Sequence, residues 1–507
     1  MNRRSFLTTT AAAAATLPFL RSLAQGQALE TATLKLHLEE HGPTVPRNFV
    51  GLSYETQQLS DPAFFSPANK GLIAKFRALT PHGVLRIGGN TSDVGWWKPT
   101  PTRAMPPLPG NVVLRTPPGE RSPLDLAYAI TPEAVRNLRA FLDATGWTCL
   151  YGINLGTNTP ALAAEQAAFV DRTLGSTLEY FQIGNEPDNF HSHFRDKATW
   201  NAEAYLDQWL AAATAIRARV PAACFGLPDV AYNTEWLAPI ADRLKSMHDA
   251  PNVAAITHHY YFTGPPSNPK ANPDALLHPD PHVQRDAELA RAAASKLDTA
   301  WRMTEGNTCY RGGKPGLSDV FAASLWAADY MLTLASLGYS GVNLHGGDGQ
   351  MVAKSLGGRL PGDDMVHDDP ASHPHPYYTP IAHIGSEYVA EPVYYGMLFA
   401  QRFVGTQIIP IDFDPGPVNA TAYAARRLGD ESAAGNVLVG VINKDATKPL
   451  SLRLPVAASS IENIDATSLT ARDVRVGRIG LSPGADRTVP PHSMAIFTLT
   501  LKTSTAG

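Results

Sequence analysis

The spacing of apolar residues changes character twice along the chain. Thr33-Leu34-Lys35-Leu36-His37-Leu38 alternates polar and apolar positions, the period-two pattern of a half-exposed antiparallel strand. From Phe49 onward short unbroken apolar runs take over, each closing on Gly, Asn, Glu or aromatic residues. Phe49-Val50-Gly51-Leu52-Ser53 closes on Tyr54-Glu55, and Gly83-Val84-Leu85-Arg86-Ile87 on Gly88-Gly89-Asn90. Cys149-Leu150-Tyr151-Gly152-Ile153 closes on Asn154, and Tyr180-Phe181-Gln182-Ile183-Gly184 on Asn185-Glu186. Two more are Cys224-Phe225-Gly226-Leu227 before Pro228-Asp229, and Val253-Ala254-Ala255-Ile256-Thr257 before His258-His259-Tyr260-Tyr261. The last are Trp301-Arg302-Met303-Thr304 before Glu305, and Gly341-Val342-Asn343-Leu344 before His345-Gly346-Gly347. Continuous runs of this kind are buried on both faces, as in a parallel sheet.

Helical patterns fill the spaces between. Thr131-Pro132 reads as an N-cap with proline in the first turn, Val135, Leu138, Phe141 and Leu142 form one stripe, and Gly146 ends it. Thr199 to Val220 and Asp319 to Leu337 read alike, the second a wholly apolar core helix ending at Gly338. Strands alternating with helices predict an α/β fold, a (β/α)8 TIM barrel over residues 47–390, with the polar strand ends gathered at one rim. Beyond Glu391 short strands between Gly, Pro and Asp turns, with no helix among them, predict a C-terminal antiparallel β-sandwich over 391–507. The strand within residues 25–46 is expected to join it. Three proline-rich inserts, Lys98–Pro123, Thr263–Pro281 and Gln350–Pro380, each follow a barrel strand. They should wall the rim into a closed pocket.

At 507 residues the chain exceeds one usual core, so two or more domains are expected. A net charge of −4 with no run of Lys or Arg argues against nucleic acid or a long polyanion as partner. Cys149, Cys224 and Cys309 have neither disulfide-framework nor metal-site spacing and read as small buried thiols. Asn2-Arg3-Arg4-Ser5-Phe6-Leu7, an alanine-rich run to Leu20 and Ser22-Leu23-Ala24 form a twin-arginine-type signal peptide over residues 1–24. The expectation is a bacterial protein exported to the periplasm or the medium. After the signal no stretch of 18 or more apolar residues occurs, so no membrane span is expected.

Asn185-Glu186-Pro187 ends the fourth predicted strand and Glu305 the seventh. An ionised carboxylate at the end of an apolar strand is unfavourable unless it is paired or functional. Strands four and seven face each other across an eight-stranded rim. Two carboxylates about 5–5.5 Å apart there would suit a double-displacement, retaining attack on a glycosidic bond. The bland reading, either glutamate capping a loop or pairing with Arg86 or Arg302, is weakened by the two occurring together.

The pattern resembles the retaining glycosidases that carry their glutamates on barrel strands four and seven, and within them glycoside hydrolase family 79, the heparanase and β-glucuronidase family. The supporting segments are Gly51-Leu52-Ser53-Tyr54-Glu55, Arg86-Ile87-Gly88-Gly89-Asn90, Gln182-Ile183-Gly184-Asn185-Glu186-Pro187, His258-His259-Tyr260-Tyr261, and Glu305-Gly306-Asn307 with Gly312-Gly313. The resemblance implies Glu186 as general acid/base, Glu305 as nucleophile and Asn185 on the sugar 2-hydroxyl. It implies that Tyr261, or else Tyr260, orients Glu305. Glu55 would grip hydroxyls of a terminal sugar, with Asn90 a further polar contact. The sugar carboxylate would meet Tyr310 and, in Tyr378-Thr379-Pro380, Tyr378 or else Tyr377, since the long insert before that segment departs from the family pattern.

The implied activity is that of a retaining exo-β-glucuronidase acting on small glucuronides or terminal glucuronic acid of glycans. An endo-acting heparanase-like enzyme is the nearer alternative and a noncatalytic glycan-binding protein the remoter one. No cofactor is expected. His367, Asp368, Asp369, His373 and His375 lack metal-ligand spacing, His258-His259 reads as site wall, and Gly346-Gly347-Asp348-Gly349 is no nucleotide fingerprint.

Overall fold

The computed structural model describes residues 31–118, 121–348, 376–428, 436–480 and 484–501. The signal segment, most of the Gln350–Pro380 insert and the His367–His375 cluster therefore lie outside the described residues.

Eight parallel strands close into a barrel, and they are the eight read from the apolar runs. In chain order they are Val50–Glu55, Val84–Gly88, Thr148–Ile153, Leu178–Ile183, Cys224–Val230, Asn252–Thr263, Ala300–Cys309 and Val342–Gly346, barrel strands one to eight below. Strand eight pairs with strand one through Leu344 opposite Leu52, which completes the ring. The helix Pro132–Thr145 begins and ends as its capping residues require. The Thr131 hydroxyl accepts the Ala134 amide, and Gly146 takes the left-handed turn at φ +79°.

One helix was not legible. Pro392–Gln401 lies past Glu391, where only strands were expected, and packs on the Phe321–Leu337 helix. Its residues, Pro392-Val393-Tyr394-Tyr395-Gly396-Met397-Leu398-Phe399-Ala400-Gln401, are apolar nearly throughout because little of it meets water. It therefore shows no 3.6-residue alternation. Gly396 sits where a Cβ would overlap the Ser324 carbonyl, which is why the two helices can approach so closely.

Apart from two short pairs, Gly95–Trp97 with Tyr128–Ile130 and Ile381–Ile384 with Glu387–Ala390, the remaining described strands form two facing sheets. One has six strands, all paired antiparallel, with Asn436–Asn443 and Ser493–Thr500 at its centre. The other has four, and Thr31–Leu36 is inside it, so the first described segment does join the C-terminal strands. That sheet is mixed: Thr31–Leu36 runs antiparallel to Ile411–Asp414 but parallel to Leu450–Arg453. Ala32, Leu450 and Leu452 from it meet Val439 and Phe497 from the six-stranded sheet in a common core. Asp329 qualifies the reading of the Phe321–Leu337 helix as wholly apolar. Its carboxylate accepts from Thr421, Tyr423 and Lys444 at 2.6 Å each, joining barrel helix to sheet.

Candidate active site

A cavity of about 740 Å³ opens at the rim where the strands end, and Glu55, Asn90, Asn185, Glu186, Tyr261, Glu305, Tyr310 and Tyr378 all line it. The eight residues given first place in the sequence reading thus meet in one cavity, whereas the alternatives Tyr260 and Tyr377 and the expected wall residue His258 are not in its lining. The rim gathers the eight because a parallel barrel sends all its strand ends the same way.

Glu305 sits inside strand seven, opposite His259 of strand six, just past an irregularity in register after Met303. Its Oε2 accepts from Arg86 Nη1 at 2.7 Å and its Oε1 from the Tyr261 hydroxyl at 2.9 Å. Burial pushes this carboxyl up, but His345, His259, Arg86 and the Tyr261 hydroxyl outweigh burial and hold its pKa down to about 2. It is an ionised carboxylate over any ordinary pH. Tyr260, the alternative partner, points elsewhere: its hydroxyl donates to Asp280 at 2.7 Å and its ring stacks on Tyr330.

Glu186 follows strand four in the left-handed region, at φ +48°. Its amide donates to the Asp229 carbonyl at 2.9 Å, tying the turn to strand five. Its Oε1 lies 3.1 Å from His259 Nδ1, and Asn189 Nδ2 donates to Oε2 at 3.4 Å. Ligating atoms of Glu186, His259 and Glu305 all lie within 4.8 Å of one another. Such a trio could hold a cation by geometry alone. However, Arg86 Nη1 already binds Glu305, and its Nη2 lies 3.2 Å from His259, so an ion there would face a guanidinium. The chemistry of the set suits paired carboxylates better than a metal.

Glu55 is buried at the end of strand one. Its Oε2 accepts from the Thr91 amide at 3.0 Å and the Thr91 hydroxyl at 2.6 Å, and its Oε1 lies 3.4 Å from His345 Nε2. Gly89, at φ +75°, passes so close that a Cβ would overlap this carboxylate. Burial works against a charged His345, but the Glu305 and Glu55 carboxylates on either side raise its pKa above the ordinary value. Asn185 accepts from Arg86 Nη2 at 2.8 Å through its Oδ1 and donates to Asn90 Oδ1 at 3.1 Å. Its amide donates to Asp93, whose other oxygen holds the Leu155 and Gly156 amides, so one carboxylate joins the loops after strands two, three and four.

Tyr378 is buried beside Tyr261 and His345, with ring centroids 6.2 and 5.9 Å away. Burial and the nearby Glu305 charge raise the pKa of both the Tyr261 and Tyr378 hydroxyls, keeping them O–H donors. Tyr377 is not among the residues lining the cavity. Tyr310 stands at the mouth with its ring against Gly264, where a side chain would overlap it. His258 faces away, bonded to the Tyr339 hydroxyl at 2.8 Å.

Three structural participants, Asp93, Asp229 and His345, were not singled out in the sequence, and Arg86 was considered there only as a possible ion-pair partner of a glutamate, a pairing it does make with Glu305. Arg86 is buried, donates to Ser53, Gln182, Asn185, Asp229 and Glu305, and so stands at the centre of the site. A signal did exist. A charged residue inside an apolar strand run, as in Gly83-Val84-Leu85-Arg86-Ile87, is as costly to bury as the glutamates are.

No family model matches the chain. A β-glucuronidase of Aspergillus niger is 27% identical over 311 residues, 57% of this chain and 55% of that protein. One from Neurospora crassa is 25% identical over 350 residues, 62% of this chain and 60% of that protein. The matched region thus spans less than two thirds of either relative. Among solved structures, a 4-O-α-L-rhamnosyl-β-D-glucuronidase from Fusarium oxysporum aligns with 90% of this chain and 97% of its own at TM-score 0.64 and 17% identity. A family 51 arabinofuranosidase from Xanthomonas axonopodis pv. citri aligns with 93% of this chain and all of its own at TM-score 0.62 and 14% identity. The structural likenesses agree with a (β/α)8 barrel carrying a further sheet domain.

Proposed function

We propose that the chain is a retaining exo-β-glucuronidase of the family 79 type, exported from a bacterium, releasing terminal β-linked glucuronic acid from small glucuronides or glycans. The observation that carries this reading is the carboxylate pair on strands four and seven, with oxygens within 4.8 Å of each other over a walled cavity. Oxygens that near each other favour the roughly 5–5.5 Å carboxyl separation of double displacement over the roughly 6.5–9.5 Å that inversion needs for its water. The two fungal relatives named β-glucuronidase support the choice of sugar.

In this reading Glu305, ionised and held by Arg86 and Tyr261, attacks the anomeric carbon. Glu186 gives its proton to the departing glycosidic oxygen, and the sugar becomes an ester on Glu305. Glu186, now a carboxylate, takes a proton from water, which attacks the same carbon and frees Glu305 with net retention. Asn185 takes the 2-hydroxyl, and the Glu55 end of the cavity holds the far hydroxyls, with Asn90 beside them. Tyr310 and Tyr378 hydroxyls meet the sugar carboxylate. Glu55, buried at one part of the lining, would grip the hydroxyls of a terminal sugar there, which favours exo over endo action.

The test compares a chromogenic β-glucuronide with the matching β-glucoside and β-galacturonide, with Glu305→Gln as control and NMR of the first-formed sugar. Cleavage confined to the glucuronide, release of the β-anomer and loss in the variant are expected. Faster cleavage of the glucoside would sink the roles of Tyr310 and Tyr378, and an α-anomer would sink the double displacement.

A further inference from the structure

We infer that the side of the cavity on strands four and five is an aglycone subsite built for a flat, apolar aglycone, with the ring of Tyr232 as its stacking face. The inference rests on the glucuronidase reading above for which sugar occupies the opposite side. The polar groups that would hold that sugar, Glu55, His345, Tyr310 and Tyr378, come from strands one, eight and seven and the loops after them. Those three strands are consecutive neighbours in the ring, while strands four and five are neighbours on the other side of it. The lining there gains the rings of Phe190, Phe194 and Tyr232, set among Asn189, Ser192 and His193.

This wall is built, not incidental. The Lys98–Pro123 insert crosses to it, with the Val113 amide donating to the Phe194 carbonyl at 2.9 Å and the Arg115 amide to the His193 carbonyl at 3.0 Å. That brings Pro117 and Pro118 into the lining. Asp188, two residues past Glu186 and buried, accepts the backbone amides of Ala231, Tyr232 and Asn233 at 2.9, 3.2 and 3.1 Å. One short segment therefore carries the Glu186 carboxylate and also fixes the loop bearing Tyr232. Yet the Tyr232 side is left bare, with the residue 66% exposed at the cavity. A ring with a fixed backbone beside the carboxylate that faces the departing oxygen offers an aromatic aglycone a stacking partner at little entropic cost. Arg121 and Arg311 also line the cavity, but against the carboxylates of Glu55, Asp93, Glu186 and Glu305. Among the described residues the site has no surplus of cations for a polyanionic aglycone.

The test measures kcat/KM of the full chain for phenyl and 2-naphthyl β-glucuronides, whose phenols are of similar acidity, beside the same two β-glucosides. Tyr232→Ala and Tyr232→Phe are compared with the parent. The naphthyl-to-phenyl ratio should exceed one in the parent, fall about tenfold in Tyr232→Ala and persist in Tyr232→Phe, which keeps the ring. An unchanged ratio in Tyr232→Ala overturns the subsite, as does a parent that prefers a uronic acid to the naphthyl group as aglycone. Cleavage of the glucosides alone, with the ratio still falling in Tyr232→Ala, sinks the glucuronidase reading and leaves the subsite standing.

Discussion

Replacing Tyr261 with Phe removes one oxygen from the site and should move one limb of the pH profile. The Tyr261 hydroxyl donates to Glu305 Oε1 at 2.9 Å at the wall of the cavity, where Tyr261 is part-buried. A hydrogen bond to a charged group contributes about 1.5–3 kcal/mol. At 1.36 kcal/mol per pKa unit, its loss should raise the Glu305 pKa by about 1–2 units. From about 2 in the parent, the carboxyl would move to about 3–4. The nucleophile must be ionised, so the acid limb of kcat/KM should move upward by the same amount. Near neutrality both enzymes hold Glu305 charged, and the profiles should run parallel. The assay is kcat/KM for an aryl glucuronide from about pH 1.5 to 8, with circular dichroism tracking the fold. Stability carries the same sign. The folded pKa lies below the ordinary 4.5, so this ionisation stabilises fully above about 4.5 and its contribution is lost as pH falls toward about 2. An acid limb that stays put in Tyr261→Phe would refute the claim that this hydroxyl helps hold the nucleophile charged.

Three further outcomes are expected. Glu186→Ala should slow cleavage of alkyl glucuronides by about 10²–10⁴-fold but spare aryl glucuronides with acidic phenols, and azide should restore turnover as a β-glucuronosyl azide. Equal losses across leaving groups would remove Glu186 from the acid role. Arg86→Met should destabilise the fold by about 3–5 kcal/mol by leaving Asp229 and Glu305 as unpaired buried carboxylates, read as a fall in urea midpoint. A midpoint unchanged from the parent would contradict the network described for Arg86. Asp329→Ala should cost a similar amount by stranding the buried Lys444 ammonium between barrel and sheet, and a second substitution, Lys444→Met, should recover much of it. No recovery would mean that the loss lies in the Thr421 and Tyr423 bonds instead.

The sequence by itself determined the barrel and the place of its two glutamates. Eight unbroken apolar runs can be buried only between two layers, and parallel strands must present their polar ends together. It was thus enough to find Glu186 and Glu305 closing the fourth and seventh apolar runs to expect them in one cavity, although strand seven itself continues past Glu305 to Cys309. Local capping was equally legible at Thr131 and Gly146, because those bonds close within a few residues. Elements lying apolar on every side hid themselves, as the Pro392–Gln401 helix did, since periodicity appears only where one face meets water.

Tertiary structure alone decided which of two neighbours enters the site and what the charges there do to one another. Successive strand residues point to opposite faces, so Tyr260 and Tyr261 differ by a single step of register. Pairing of Tyr261 with Asn307 of strand seven turns its hydroxyl to Glu305 and sends Tyr260 to Asp280. Arg86 reaches Glu305 across 219 positions of chain. No local pattern records such a contact, because the Coulomb term that holds Glu305 ionised depends on distance in space and on excluded water, and both exist only once the barrel has closed.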